Sequence, residues 1–280
     1  MKNLIVSLIL LFFISPFIYS QSAEQDCEKG NYMLSLGKFG TAVQYFNKAL
    51  SEKSDYAEAY FGMGKAYDSQ GEFEEAIKDY SKAIDLKPDY VEALNNRGKI
   101  YTNPLYPAYK STAEQGMKDY DRALEISPTN GDTYYLRGAA YLFVYSDREK
   151  SLENENKAIE YNPKLKEAYN LRANLYSMNT IKLLFRLIQD NAQESDIKNL
   201  INDSLKAELQ KGKDDATKAI NIDPSYSSPY VTRAAINMIF GDYKSSVADY
   251  ESALTIGVDP TIQKLIERNL EFAQSKANNQ

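Results

Sequence analysis

Acid–base, nucleophilic and metal chemistry at neutral pH draws on a short list of side chains, and this sequence is poor in them. It has no His, the commonest general base and transition-metal ligand, and a single cysteine, Cys27. It contains no paired-cysteine motif, no glycine-rich phosphate loop and no Ser or Cys in a recognisable nucleophile setting. Acids are plentiful, 39 Asp and Glu against 33 Lys and Arg. Their clusters, Glu72 with Glu74 and Glu75 and Asp214 with Asp215, fall at helix starts or on exposed helix faces, where the helix dipole and water account for them. The expectation is a non-enzyme with no catalytic, cofactor-binding or metal-binding residues.

What recurs is a charge pattern. Arg97, Arg137, Arg172 and Arg233 each stand immediately before a small residue, and Asp79, Asp119, Asp215 and Asp249 each stand before an aromatic position or its equivalent. Matching each acid to the next arginine pairs Asp79 with Arg97, Asp119 with Arg137 and Asp215 with Arg233, with Asn154 and Arg172 as a polar variant. Partly buried ion pairs between successive units are the expectation.

The elements that carry these charges are repeats. Aligned on Ala49, Ala83, Ala123, Ala158, Ala219 and Ala253, the intervals are 34, 40, 35, 61 and 34 residues. Five positions after four of those alanines stand Pro88, Pro128, Pro163 and Pro224, which end one helix and leave the chain extended before the next. Small residues recur at Gly30, Gly64, Gly98, Gly138, Ala173 and Ala234, with Tyr60, Tyr134, Tyr169 and Tyr230 four residues ahead of four of them. Glycine inside a helix costs about 1 kcal/mol relative to alanine, so it marks close helix approach. Phe73, Tyr80, Tyr120, Tyr243 and Tyr250 are expected to fill the space between helices.

The unit 57–90, with Tyr60, Gly64, Tyr67, Gly71, Phe73, Ala76, Tyr80, Ala83 and Pro88, resembles the tetratricopeptide repeat. The resemblance covers 23–260, as units 23–56, 57–90, 91–130, 131–165, 166–226 and 227–260. It implies an all-α fold, a right-handed superhelix or α-solenoid of six helical hairpins. A capping helix and tail at 261–280 would present Ile262, Leu265, Ile266, Leu270 and Ala273 on one face. Two irregularities stand out. The turn Asn103 to Thr112 carries about six extra residues with Pro104 and Pro107. About 177–212 forms an extended hairpin, with stripes Ile181, Leu184, Phe185, Ile188 and Ile197, Leu200, Ile201, Leu205, Leu209 around the turn Gln189 to Ser195. It is expected to project roughly 20 Å as an antiparallel arm, serving self-packing, docking or dimerisation.

Such scaffolds hold a peptide or a partner's helix on the concave face lined by the first helix of each unit. In the early units the family's groove positions are mixed and polar, for example Glu58, Lys65 and Glu92. The later ones, Tyr135, Leu142, Phe143, Asn170, Asn174, Met178, Val231, Met238 and Ile239, are apolar enough for an interface, with asparagines able to hold a peptide backbone. A protein or peptide partner is expected there. The residues that grip acidic chaperone tails in some members are missing: Phe61, Lys65, Asn96, Asp132 and Leu136 occupy those places.

Lys2 and the apolar run Leu4 to Tyr19 read as a signal peptide, 1–20, directing a bacterial protein to the periplasm or outside the cell, with an uncleaved anchor as the alternative. Its removal shifts the formal charge from −6 to −7, because Lys2 leaves and no acid does. An acidic surface disfavours nucleic acid, and no membrane span is expected after cleavage. A non-catalytic, exported interaction scaffold is the leading reading; a self-assembling envelope component using the long hairpin is the alternative.

Overall fold

The computed structural model describes residues 22–189 and 202–278. The leader at 1–20 and the turn of the long hairpin, with Ile197, Leu200 and Ile201, lie outside them. Among the described residues there are thirteen α-helices and no strand. In chain order they are α1 (Ala23–Ser35), α2 (Phe39–Glu52), α3 (Ala57–Gln70), α4 (Phe73–Leu86), α5 (Val91–Tyr101), α6 (Tyr109–Ile126), α7 (Gly131–Phe143), α8 (Arg148–Tyr161), α9 (Lys166–Gln189), α10 (Asp203–Ile222), α11 (Ser228–Ile239), α12 (Tyr243–Ile256) and α13 (Pro260–Ala277). α1 packs along α2, α3 along α4, α7 along α8, α9 along α10 and α11 along α12, and α13 packs on α12. The chain divides into two compact units, one ending at Ile100 and one beginning at Tyr101.

Local chemistry explains the boundaries. Ser22 and Gln25 form a reciprocal capping box at the start of α1, and Asn130, Asp147, Asn202, Asp242 and Asp259 accept backbone N–H bonds at the starts of α7, α8, α10, α12 and α13. Lys87, Ser127, Asn162 and Asp223, each immediately before a proline, end their helices with ψ between 82° and 98°, as the proline ring demands of its predecessor. Gly71 turns α3 into α4 at φ +76°, a left-handed conformation that a side chain would strain.

The small positions are contact points. In the first unit the fully buried Phe46 ring is clamped between α1 and α3: a Cβ at Gly30 would lie 2.6 Å from it, and one at Gly62 2.3 Å. Tyr80 covers Gly64 in the same way. Tyr120, Tyr243 and Tyr250 are also fully buried. In the extra turn, Tyr106 is buried while Leu105 is 80% exposed.

Over its described residues the long hairpin is packed on its neighbours. α9 has 24 residues and α10 has 20, and Leu184 and Leu209 are fully buried in one core with Ile236, Met238 and Ile239 of α11, Tyr243 and Tyr250 of α12 and Ile266 and Ala273 of α13. The apolar stripes therefore serve the C-terminal core over their described length. They cover α11, whose apolar C-terminal half would otherwise face water.

The arginine pairing differs from expectation. Arg172 forks Asp215 within its own hairpin, through Nε at 2.7 Å and Nη2 at 2.8 Å. Arg233 forks Asp249 at 2.9 and 2.6 Å. Arg137 Nε donates to Asn154 at 2.9 Å. The link to the preceding hairpin runs through the other edge of the guanidinium: Nη1 of Arg97, Arg137, Arg172 and Arg233 donates to Ser81, Asp121, Asn156 and Thr217. A planar donor with two usable edges can staple two hairpins at once, which a point charge cannot.

The hairpin α3/α4 lacks this fork because Met63 holds the arginine position opposite Asp79. Asp79 is 7% exposed, and burial pushes its carboxyl up to about 6. A carboxyl whose folded pKa is raised contributes stability that is complete below about pH 4 and is lost as pH rises through 6. The parent should lose about 2 kcal/mol over that interval from this group. Met63→Arg supplies the missing fork and should remove that loss, as urea midpoints from pH 4 to 7 would show; a slope unchanged by the substitution would refute the assignment.

Candidate partner-binding site

Within the second unit, the inner faces of α7, α9 and α11 and the start of α13 enclose a bowl of about 660 Å³. α7 contributes Leu142 and Phe143 from its last turn. α9 runs along one side, giving Leu171, Asn174 and Met178 from its regular part and Ile181, Lys182 and Phe185 from its extension. α11 supplies Val231 and Thr232, with Ser227 and Ser228 at its start, and Val258, Asp259 and Ile262 close the far side. In the depth Leu171 and Thr232 are buried at 5% and 6% exposure, while Phe143, Met178 and Ile262 at the mouth are 64%, 40% and 42% exposed. Large apolar side chains left in water around a concavity mark a binding surface.

Five of the nine groove residues expected from sequence meet here: Leu142, Phe143, Asn174, Met178 and Val231. The other four do not line the bowl. Met238 and Ile239 are 0% and 1% exposed and belong to the core beneath α9 and α10, so their assignment to the surface is corrected: the lengthened hairpin covers them. Asn170 is buried, and its amide donates to Tyr226 at 3.0 Å and Ser228 at 3.2 Å, fastening α9 to the turn before α11 rather than facing a ligand. Tyr135 lies half-buried outside the bowl, where burial holds its hydroxyl far above the ordinary phenol range. Asn174 accepts the Thr232 hydroxyl at 2.8 Å, which leaves its Nδ2 as the asparagine donor in the wall.

By sequence Ile181 and Phe185 belong to the arm, Ile262 to the cap and Val258 to the place of the helix-ending proline in the last unit. Their apolar character is visible in the sequence, but their convergence depends on the C-terminal helix α13 packing against α9. The bowl holds two charged residues, Lys182 and Asp259. The Asp259 carboxylate caps α13, accepting from the Thr261 backbone at 2.8 Å and hydroxyl at 2.7 Å, and these bonds hold its pKa below the usual range. The rest of the lining is mostly apolar, the character of a surface that would exclude water from whatever it meets.

The comparisons with known proteins agree with this architecture. Residues 67–103 match the model of the TPR repeat. No curated protein matches the chain. Among solved structures, PilW, described as a widely conserved type IV pilus biogenesis factor, superposes with a TM-score of 0.63 at 13% identity, covering 87% of this chain and 98% of its own. The Cut9–Hcn1 hetero-tetramer of the APC/C gives 0.62 at 13% identity, covering 90% of this chain and 43% of its own. The human IFIT1 dimer with m7Gppp-AAAA gives 0.62 at 16%, covering 87% and 52%. At these identities the likeness is one of fold. Among the described residues no helix is long and apolar enough to cross a membrane. The chain thus carries a TPR repeat at 67–103, with its alanine, proline and small-residue register continued on both sides, and has the α-solenoid fold, a scaffold type that usually mediates protein–protein interaction.

Proposed function

We propose that this protein is a non-catalytic, exported scaffold that holds a protein partner at the bowl formed by α7, α9, α11 and α13. The observation that carries the reading is the set of exposed apolar side chains, Phe143, Met178 and Ile262, around a largely apolar concavity between the helices. The distribution matches interface anatomy, in which a few large apolar residues at the centre supply most of the binding energy. Export rests on the basic and apolar leader 1–20, and the excess of acids makes nucleic acid a poor partner. Self-assembly through 177–212 has less support, because Leu184 and Leu209, which a bare arm would expose, are buried.

Affinity capture from an envelope or secreted fraction tests the reading. A Phe143→Ala, Met178→Ala double variant should lose about tenfold or more of its partner affinity, since central apolar truncations typically cost more than 1 kcal/mol. Both side chains are exposed, so helical content should stay at the parental level. Undiminished capture by the double variant would move the interface elsewhere.

A further inference from the structure

We infer that the bowl takes the aliphatic chain of a fatty acid, inserted tail first with its carboxylate at the mouth beside Lys182. This rests on the bowl being the binding centre and goes beyond it: the aliphatic chain fills the depth at Leu171, and the protein partner meets the exposed rim of Phe143, Met178 and Ile262. Its walls are Leu171, Ile181, Phe185, Val231 and Val258, and its volume of about 660 Å³ lies in the range of small-molecule sites, roughly 300–1,000 Å³.

The polar balance selects the occupant. An extended peptide brings one N–H and one C=O with every residue, and each must find a partner once water is expelled. Few groups in the wall can answer: Asn174 Oδ1 is taken by Thr232, and Ser228 Oγ already accepts from Asn170. A methylene chain brings no polar group at all, and its burial releases free energy along its whole length. One end must remain in water, and there the charges are asymmetric. Asp259 is engaged in capping α13, while Lys182 is exposed and makes no ion pair among the described residues. An exposed ammonium at the mouth of an apolar bowl fits a single-chain amphiphile with an anionic head.

Isothermal titration of the purified chain with saturated fatty acids of increasing length, in the absence of any partner, tests this. The dissociation constant should tighten about fourfold per added methylene and then level off once the bowl is full. Val231→Phe, which fills the wall, should move the plateau to shorter chains. Lys182→Gln, on an exposed side chain, should weaken the acids several-fold while leaving the matching alcohols unchanged. Absent or length-independent binding to the parent, or a plateau unmoved by Val231→Phe, overturns the inference. Equal losses for acids and alcohols in Lys182→Gln overturn the placement of the carboxylate. Partner capture that persists when fatty acids fail to bind defeats this inference alone, whereas fatty-acid binding without capture defeats the protein-scaffold reading alone.

Discussion

Glu155→Met is expected to stabilise the protein by about 3 kcal/mol at pH 8 and by progressively less towards pH 5. Three residues before Ala158, Glu155 stands where Phe46, Tyr80, Tyr120 and Tyr250 stand before their own alanines. Like those rings it packs on the small residue of the partner helix: a Cβ at Gly138 would lie 2.2 Å from Glu155 Oε1. It is 0% exposed, and neither carboxyl oxygen has a hydrogen-bond partner. Burial drives its pKa up to about 9, with Arg172 opposing the shift only in part. The folded protein therefore holds this proton through neutral pH while the unfolded chain releases it near pH 4. Stability from this group is complete below that unfolded value and is lost as pH climbs through 9. Methionine keeps the unbranched shape and removes both the proton linkage and the unsatisfied oxygens. Glu155→Gln separates the two effects: it should abolish the pH dependence but keep an unpaired polar group, and so gain less. Urea unfolding of the three proteins from pH 5 to 9 decides it, and a parent whose stability does not fall across that range would contradict the buried, protonated carboxyl.

How far these features could be read in advance depended on whether one local rule was enough. The alanine and proline register identifies the repeat because it reports backbone facts: a proline forces its predecessor out of the helix, and Lys87, Ser127, Asn162 and Asp223 all leave it, with ψ between 82° and 98°. The same register contains Glu155 among the aromatics, a signal visible by alignment alone. The arginine partners could not be settled by counting. Arg233 is 16 residues from both Asp249 ahead and Thr217 behind, and Met63 opposite Asp79 argued against pairing within a hairpin, although that hairpin is the exception. The bowl was half legible. Leu142, Asn174 and Val231 follow from inner-face positions, but Ile181, Phe185 and Ile262 enter it, and Met238 and Ile239 leave the surface, only because the lengthened α9 and α10 pack across α11. That is a tertiary consequence of an insertion, and helical periodicity within either segment is blind to it.

Arg172→Met is expected to cost 3–5 kcal/mol, about the loss found when one partner of a buried ion pair is removed. Both edges of this guanidinium are used: Nε and Nη2 fork Asp215 and Nη1 donates to Asn156 of the preceding hairpin. The side chains are 20% and 10% exposed, so the pair is too buried for water to replace the lost donors. The bond to Asp215 is also the main reason the guanidinium pKa is raised. Arg172→Lys keeps the charge without the planar fork and should recover part of the loss. Arg172→Met combined with Asp215→Leu should recover most of it, because an apolar pair replaces an orphaned carboxylate. Arg172 is also the charge that draws Glu155 towards ionisation, and its removal should move the parental loss of stability at alkaline pH further upward. Midpoints of urea unfolding across pH 4 to 9 read both effects. A deficit below 1 kcal/mol with no pH dependence would reduce the fork to an ordinary surface pair and leave apolar packing alone to hold successive hairpins in register.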